Sequence, residues 1–460
     1  MAYNLSVTLA DISPQSSRIL RLACFPITLL FAVLATGCLA GSQALSSSRN
    51  EAFELATEAG LPKSWEDLRQ PYNKDQDMRE PLAEFAKAWK PRLETSRNSP
   101  TAIPGEDPLW NVGVGISGST LKPLTEKLLQ RTELAIFDNP EQGFDGTTDF
   151  VWQTSAPAEY LALRARMLSA RRKPVEALEV LTATAKLVRL LRPEVSLIDS
   201  ELAAKVNERL LIGAAIQILN QHGSNPKVQT LSLKFLEALG RPPDVRRTMQ
   251  AKFASVLLDE NRLNTKGEAE IDVFLRVEET LDESFEGKLD PIVEQLRTEL
   301  KDPAKRDSMF ERYFRAARLL YQDLPEDPND GYGRLRAAKK HDALNAKRTE
   351  PLDYHVSFEI RETYANVDGD LRDLVNRRSL KALVLALQAH TKTGSFPQEL
   401  PLSGLEAIDP FSGKKLIYKQ IGDGLVVYSI GPDNEDNGGA DVGSISNNPT
   451  DVGLRVIAPR

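Results

Sequence analysis

From residue 49 to residue 322, apolar side chains recur at spacings near i, i+3, i+4 and i+7, and this pattern limits what the chain can fold into more than any other. Such spacing places them on one stripe of an α-helix. The segments "EPLAEFAKAWKPRLE", "TLKPLTEKLLQRTELAIF", "AEYLALRARMLSARR", "PVEALEVLTATAKLVRLL" and "DSELAAKVNERLLIGAAIQIL" all carry it. A helical body over 49–322 follows, an irregular bundle in which 156–172 and 174–192 suggest a tetratricopeptide-like hairpin. No second copy follows at the period of about 34 residues that a repeat array needs. "ERLLIGAAIQILNQHG" is nearly apolar all round and is expected to be the central buried helix. Ser64 with Asp67 reads as a capping pair, and Pro174 suits a first helical position. "GSNPK" at 223–227 and "GRPPD" at 240–244 read as joints between helices.

Ahead of this body lies "RILRLACFPITLLFAVLATGCLAGSQALSSSRN", in which no charge occurs between Arg21 and Arg49. A bilayer span needs about 20 apolar residues and a signal-peptide core about 7–15. With Arg18 and Arg21 in front, the segment is expected to export or anchor the chain, with the body outside the cytoplasm. "LATGC" resembles the lipobox of bacterial lipoproteins, which implies lipidation of Cys38. An uncleaved anchor and ordinary signal cleavage are the other two readings of the same residues. The chain's two cysteines, Cys24 and Cys38, both fall here, so the rest of the protein has no thiol chemistry and no disulfide. A net charge of -7 argues against a nucleic-acid binder working through a general basic field.

Motifs for catalysis are sparse. "GVGISG" places Gly113, Gly115 and Gly118 in a dinucleotide-type spacing, with Asp138 further on, but the preceding "TAIPGEDPLWN" is no buried strand and no series of strands follows. His222, His341, His355 and His390 show no ligand spacing, and His222 fits a helix C-terminus. Trp65, Trp89, Trp110 and Trp152 read as core anchors, a glycan-stacking role being the alternative.

Residues 323–365 are rich in proline, charge and glycine and read as a partly ordered connection. Beyond them the pattern changes. "DLRDLVNRRSLKALVLALQAHTKTGSFPQEL" is a long helix stopping at Gly394, and "AIDPFSGKKLIYKQIGDGLVVYSIGPD" is a loop and hairpin with strands near 415–419 and 425–430. A small α+β domain over 366–447 and a tail over 448–460 complete the expected architecture, which is mainly α.

This C-terminal order resembles the globular domain of the type II secretion major pseudopilin, the G-type family. The matching residues are His390, Gly394, Phe396 and Pro397, then Asp409, Pro410, Phe411 and Gly413, then Tyr418, and finally Tyr428, Ser429, Gly431 and Asp433. The match covers under a fifth of the chain. No prepilin cleavage site accompanies it, so the resemblance concerns the domain and not incorporation into a pseudopilus. The whole arrangement also resembles uncharacterised bacterial envelope proteins with a helical body. The family's final loop binds calcium, which implies roles for Asp433 and Asp441.

The loop's own chemistry points the same way. "IGPDNEDNGGADVG" crowds Asp433, Asp436 and Asp441 with asparagines and glycines, supplying the oxygens that calcium prefers. Counting Asp433 as first, Glu435, Asn437, Gly438 and Asp441 fall at EF-hand-like places, but Ser444 stands where the bidentate glutamate belongs. A solvated polar turn is the other reading. For the whole chain the expectation is a non-enzymatic envelope scaffold or interaction protein, tethered to the membrane and linked to envelope or secretion proteins. An envelope hydrolase or glycan-binding protein, with its site between body and C-terminal domain, is the rival.

Overall fold

A computed structural model describes residues 47–68, 158–189, 198–267, 291–345, 367–439 and 450–457, with isolated positions such as Ile271, Val356 and Ile360, and omits Tyr160, Pro243 and Asp423. The apolar N-terminal segment with Cys24 and Cys38, the glycine motif at 113–118, Trp89, Trp110, Trp152, His355 and Asp441 lie outside the described residues.

The chain is mainly helical, with a small antiparallel sheet near its C-terminus. Its helices are α1 (Ser47–Glu58), α2 (Pro174–Arg189), α3 (Ile198–His222), α4 (Pro226–Ala238), α5 (Val245–Lys266), α6 (Pro291–Leu300), α7 (Pro303–Asp323), α8 (Gly331–Asn345) and α9 (Val367–Thr393). Residues 161–170 are helical as well. The strands are β1 (Ile417–Ile421), β2 (Gly424–Ser429) and β3 (Val452–Ile457), in the order β1-β2-β3.

The breaks seen in the sequence work by capping. Asn225 accepts a bond from the Lys227 amide at 2.9 Å while Pro226 opens α4. Asp244 caps α5 through the Arg246 amide at 3.0 Å, and Asp302 caps α7 through the Ala304 amide at 2.9 Å. Each satisfies an amide that has no partner within its own helix. Asp67 does the same before the short 3-10 turn Trp65–Leu68, accepting from the Lys63 and Ser64 amides.

α3 buries Leu211, Ile212, Ala214, Ala215, Ile218 and Leu219, as its apolar run requires. α9 is the second axis of the molecule: it packs on α3 and α4, on α8, and on β2 and β3. One hydrophobic core therefore runs unbroken from Ala52 in α1 to Val456 in β3. Two buried, bidentate ion pairs tie it together: Arg377 of α9 with Glu208 of α3, and Arg49 of α1 with Glu260 of α5.

Two segments differ from the sequence expectation. Residues 331–345, within the supposed connection, form the helix α8, packed on α7 and α9. Residues 452–457, within the supposed tail, form β3. It pairs with β2 from Ser429↔Val452 to Gly424↔Ile457, and the Ile457 amide donates to Asn220 Oδ1 of α3 at 2.8 Å. Val452, Leu454 and Val456 face the core, whereas Arg455 and Ile457 are exposed. Only glycine fits at 453, because a Cβ there would lie 2.2 Å from the Val427 carbonyl oxygen.

Candidate functional site

The C-terminal module begins with α9, whose last turn stacks His390 on Phe396 with ring centroids 4.4 Å apart. The loop that follows is held to β1 by Tyr418, whose hydroxyl donates to the Pro397 carbonyl at 3.0 Å. Asp409 is buried and works as a junction. Its Oδ1 accepts from the Ser429 hydroxyl at 2.6 Å and the Phe411 amide at 2.9 Å, and its Oδ2 from the Ser412 hydroxyl at 2.7 Å. Ser429 Oγ in turn accepts from the Gly431 amide at 3.0 Å, which fixes the exit of β2. Gly431 has φ 68 and a Cβ there would sit 1.8 Å from the Thr450 carbonyl oxygen, so no other residue fits.

Residues 431–439 form the acidic loop. Asp433 Oδ1 accepts from the Glu435 amide at 3.1 Å, and its Oδ2 accepts from the Asn437 side-chain amide at 3.4 Å. Asp436 is more heavily engaged: its Oδ1 accepts from the Gly438 amide and the Tyr428 hydroxyl, both at 2.9 Å, and Lys419 Nζ lies 3.4 Å from its Oδ2. The Gly438 amide, then the Tyr428 hydroxyl and the Lys419 ammonium, lower the Asp436 pKa. Lys419 also donates to the Tyr428 hydroxyl oxygen, the main reason its own pKa is raised.

Asp451, absent from the sequence reading of the loop, belongs to it. Its carboxylate is fully buried at the start of β3 and accepts from the Gly439 amide at 2.7 Å and the Asn437 amide at 3.4 Å. Burial pushes its pKa up, and the nearby charges of Asp436 and Asp433 add to that. Asp433, Asp436 and Asp451 thus share one electrostatic neighbourhood, while Asp441 lies outside the described residues. Asp451 reaches the loop only because β3 pairs with β2 beside it.

The donors here are oxygens of carboxylates, an amide and the backbone, the right chemistry for a hard cation such as calcium. Among the described residues, however, no group of three His, Cys, Asp or Glu side chains is arranged to hold a metal ion. A cation bound through Asp436 would have to displace the Lys419 ammonium.

The described histidines are dispersed. His222 Nε2 lies 3.2 Å from the Ser169 carbonyl oxygen, and buried His341 is 2.9 Å from Asp323 Oδ2, which also meets Lys340 Nζ. An open cleft of about 700 Å3 lies where α2 begins and α3 ends, lined by Arg172, Lys173, Glu176, Gln221, His222 and Asn225. It belongs to the helical body rather than to the junction with the sheet. That junction is filled by Leu380, Leu383, Val384, Leu387, Leu425, Val427 and Val456 of the common core.

Comparison of the chain with protein-family models, with curated proteins and with solved structures finds no match. Among the described residues no helix is long and apolar enough to cross a membrane.

Proposed function

We propose that the protein is an exported, membrane-tethered, non-enzymatic scaffold or interaction protein of the cell envelope, ending in a pseudopilin-G-like module that calcium stabilises. The observation that carries the reading is where the phrases of the resemblance meet. His390 rests on Phe396, Tyr418 bonds the Pro397 carbonyl, and Asp409 bonds Ser429, which bonds Gly431. His390, Phe396, Pro397, Tyr418, Asp409, Ser429 and Gly431, all members of those phrases, fasten helix, loop and strands to one another. The acidic loop follows directly, and its oxygen donors support calcium through Asp433 and Asp436, with Asp441 completing the set. The apolar run before α1, with Arg18 and Arg21 ahead of it, supports the tether, and Cys38 is the lipid attachment point if the lipobox is cut. In this reading the helical body is the part that meets envelope or secretion proteins.

Thermal unfolding of the full chain with calcium and then with a chelator tests the module. A calcium-dependent rise in midpoint that disappears in Asp433→Ala and Asp436→Ala supports the metal loop, since a ligand that binds only the folded form stabilises it. An unchanged midpoint removes calcium from the proposal. Fractionation of cells expressing the full chain tests the tether: recovery with membranes is expected, and recovery in the cytosol overturns it.

A further inference from the structure

The helix that follows the apolar run is not a loose leader. Arg49 in the first turn of α1 forms its bidentate pair with buried Glu260 of α5, and its guanidinium lies 5.2 Å from the Phe314 ring centroid and 5.6 Å from that of Phe53. Phe53 stacks on Phe253 at 6.4 Å and meets Phe314 at 5.6 Å. At the other end of α1, the Gly60 carbonyl accepts from Gln250 of α5 at 2.9 Å, and Tyr321 of α7 packs against Gly60. Ser48 is hydrogen-bonded to Glu311 of α7. These contacts fix directions: α1 runs parallel to α7 and antiparallel to α5. Its N-terminus therefore points to the end of the molecule where α5 finishes and α7 begins.

Resting on the tether of the proposed function, we infer that this end of the α1–α5–α7 layer is the surface that faces the lipid headgroups. Eight residues separate Cys38 from Ser47, nine Cα–Cα steps in all. Those nine steps cover at most about 32 Å. The start of α1 is recessed: Glu311 lies eight residues inside α7, about 12 Å along its axis, and Glu260 lies six residues before the end of α5, about 9 Å. Passing those helix ends takes about 12 Å of that reach and leaves at most about 20 Å beyond them. The surface there exposes Asn261, Asn264 and Thr265 on α5, Lys301 and Asp302 between α6 and α7, and Lys305 in the first turn of α7. Amides, a hydroxyl and two ammonium groups suit the phosphate and glycerol layer of a bilayer, while the Asp302 carboxylate is engaged by the Ala304 amide and Lys305 lies 3.5 Å from Glu299. The C-terminal module lies at the other end, where the chain leaving α7 meets it: Arg378 of α9 holds the Asn329 carbonyl and Gly331 packs against Pro410. The Arg49–Glu260 clamp keeps the tether short, because release of α1 would add its twelve residues to the tether.

The test places a fluorescent donor on the full chain at Asn264→Cys or at Glu399→Cys beside β1, in liposomes with acceptor-labelled headgroups, after subtracting the parent chain's own labelling at Cys24 and Cys38. Energy transfer is expected to be several-fold higher from 264 than from 399. A Gly/Ser spacer longer than the tether, inserted after Ser42, is expected to shrink that contrast. Equal or reversed transfer in protein that floats with the liposomes overturns the assignment of this face. Protein that does not float with them overturns the tether itself, and the face falls with it.

Discussion

Asp451 and Asp436 sit in one loop and titrate in opposite senses. Burial raises Asp451, so the folded chain takes up its proton before the unfolded chain, whose aspartates titrate near pH ~3.9. Between the two values the native state holds more protons, and the Asp451 contribution to stability falls as pH rises through that window. Asp436 is lowered by the Gly438 amide and the Tyr428 hydroxyl. Its contribution is present above the unfolded value and is lost as pH falls through the folded one. Denaturant unfolding at stepped acidic pH checks both. Asp451→Asn is expected to remove the limb that weakens with rising pH, and Asp436→Asn the limb that weakens on acidification. Unchanged slopes in both variants would contradict these placements.

At the scale of elements, α9 carries the architecture. Arg377 pairs with Glu208 across α9 and α3 and also donates to the Gly240 carbonyl at 2.7 Å. Removing one partner of a buried pair leaves the other charge uncompensated, at a cost of about 3–5 kcal/mol. Arg377→Met is expected to lose that much in equilibrium denaturation, and Arg377→Met with Glu208→Met to regain a large part of it. A double variant no better than the single would show that packing, not charge, dominates there. Nearby, burial beside Arg334 lowers the Arg378 pKa to about 10, while its guanidinium holds the Ile408 and Asn329 carbonyls.

The elements legible in the sequence were those with local causes. Pro174 opens α2, Asn225–Pro226 opens α4, His222 ends α3, and the stretch to Gly394 is one helix. The hairpin appeared within two residues of its strands, because glycines at 422 and 424 mark the turn. α8 was missed because its first residues, Gly331 and Gly333, read as loop, and its place is set by packing on α9. β3 was missed because six residues with Gly453 inside look like a tail until β2 supplies the partner. Asp409 and Asp433 were visible as parts of phrases, but Asp451 joins the loop through strand pairing, which no local pattern encodes.

For the whole molecule, the unbroken core from α1 to β3 makes the body and the C-terminal module one cooperative unit. A fluorescent label at Lys173→Cys reports on the helical body, and one at Glu399→Cys reports on the module. Their unfolding transitions in denaturant are expected to coincide, as two-state behaviour requires. Separate midpoints would mean that α9 belongs to the sheet more than to α3.

The claim that this unit is held at a membrane, outside the cytoplasm, meets its most direct test in topology. In intact spheroplasts expressing the full chain, protease added outside is expected to digest the body, with the protein otherwise recovered in the membrane fraction. Full protection that ends only when the cells are lysed would place the body in the cytoplasm and contradict the account.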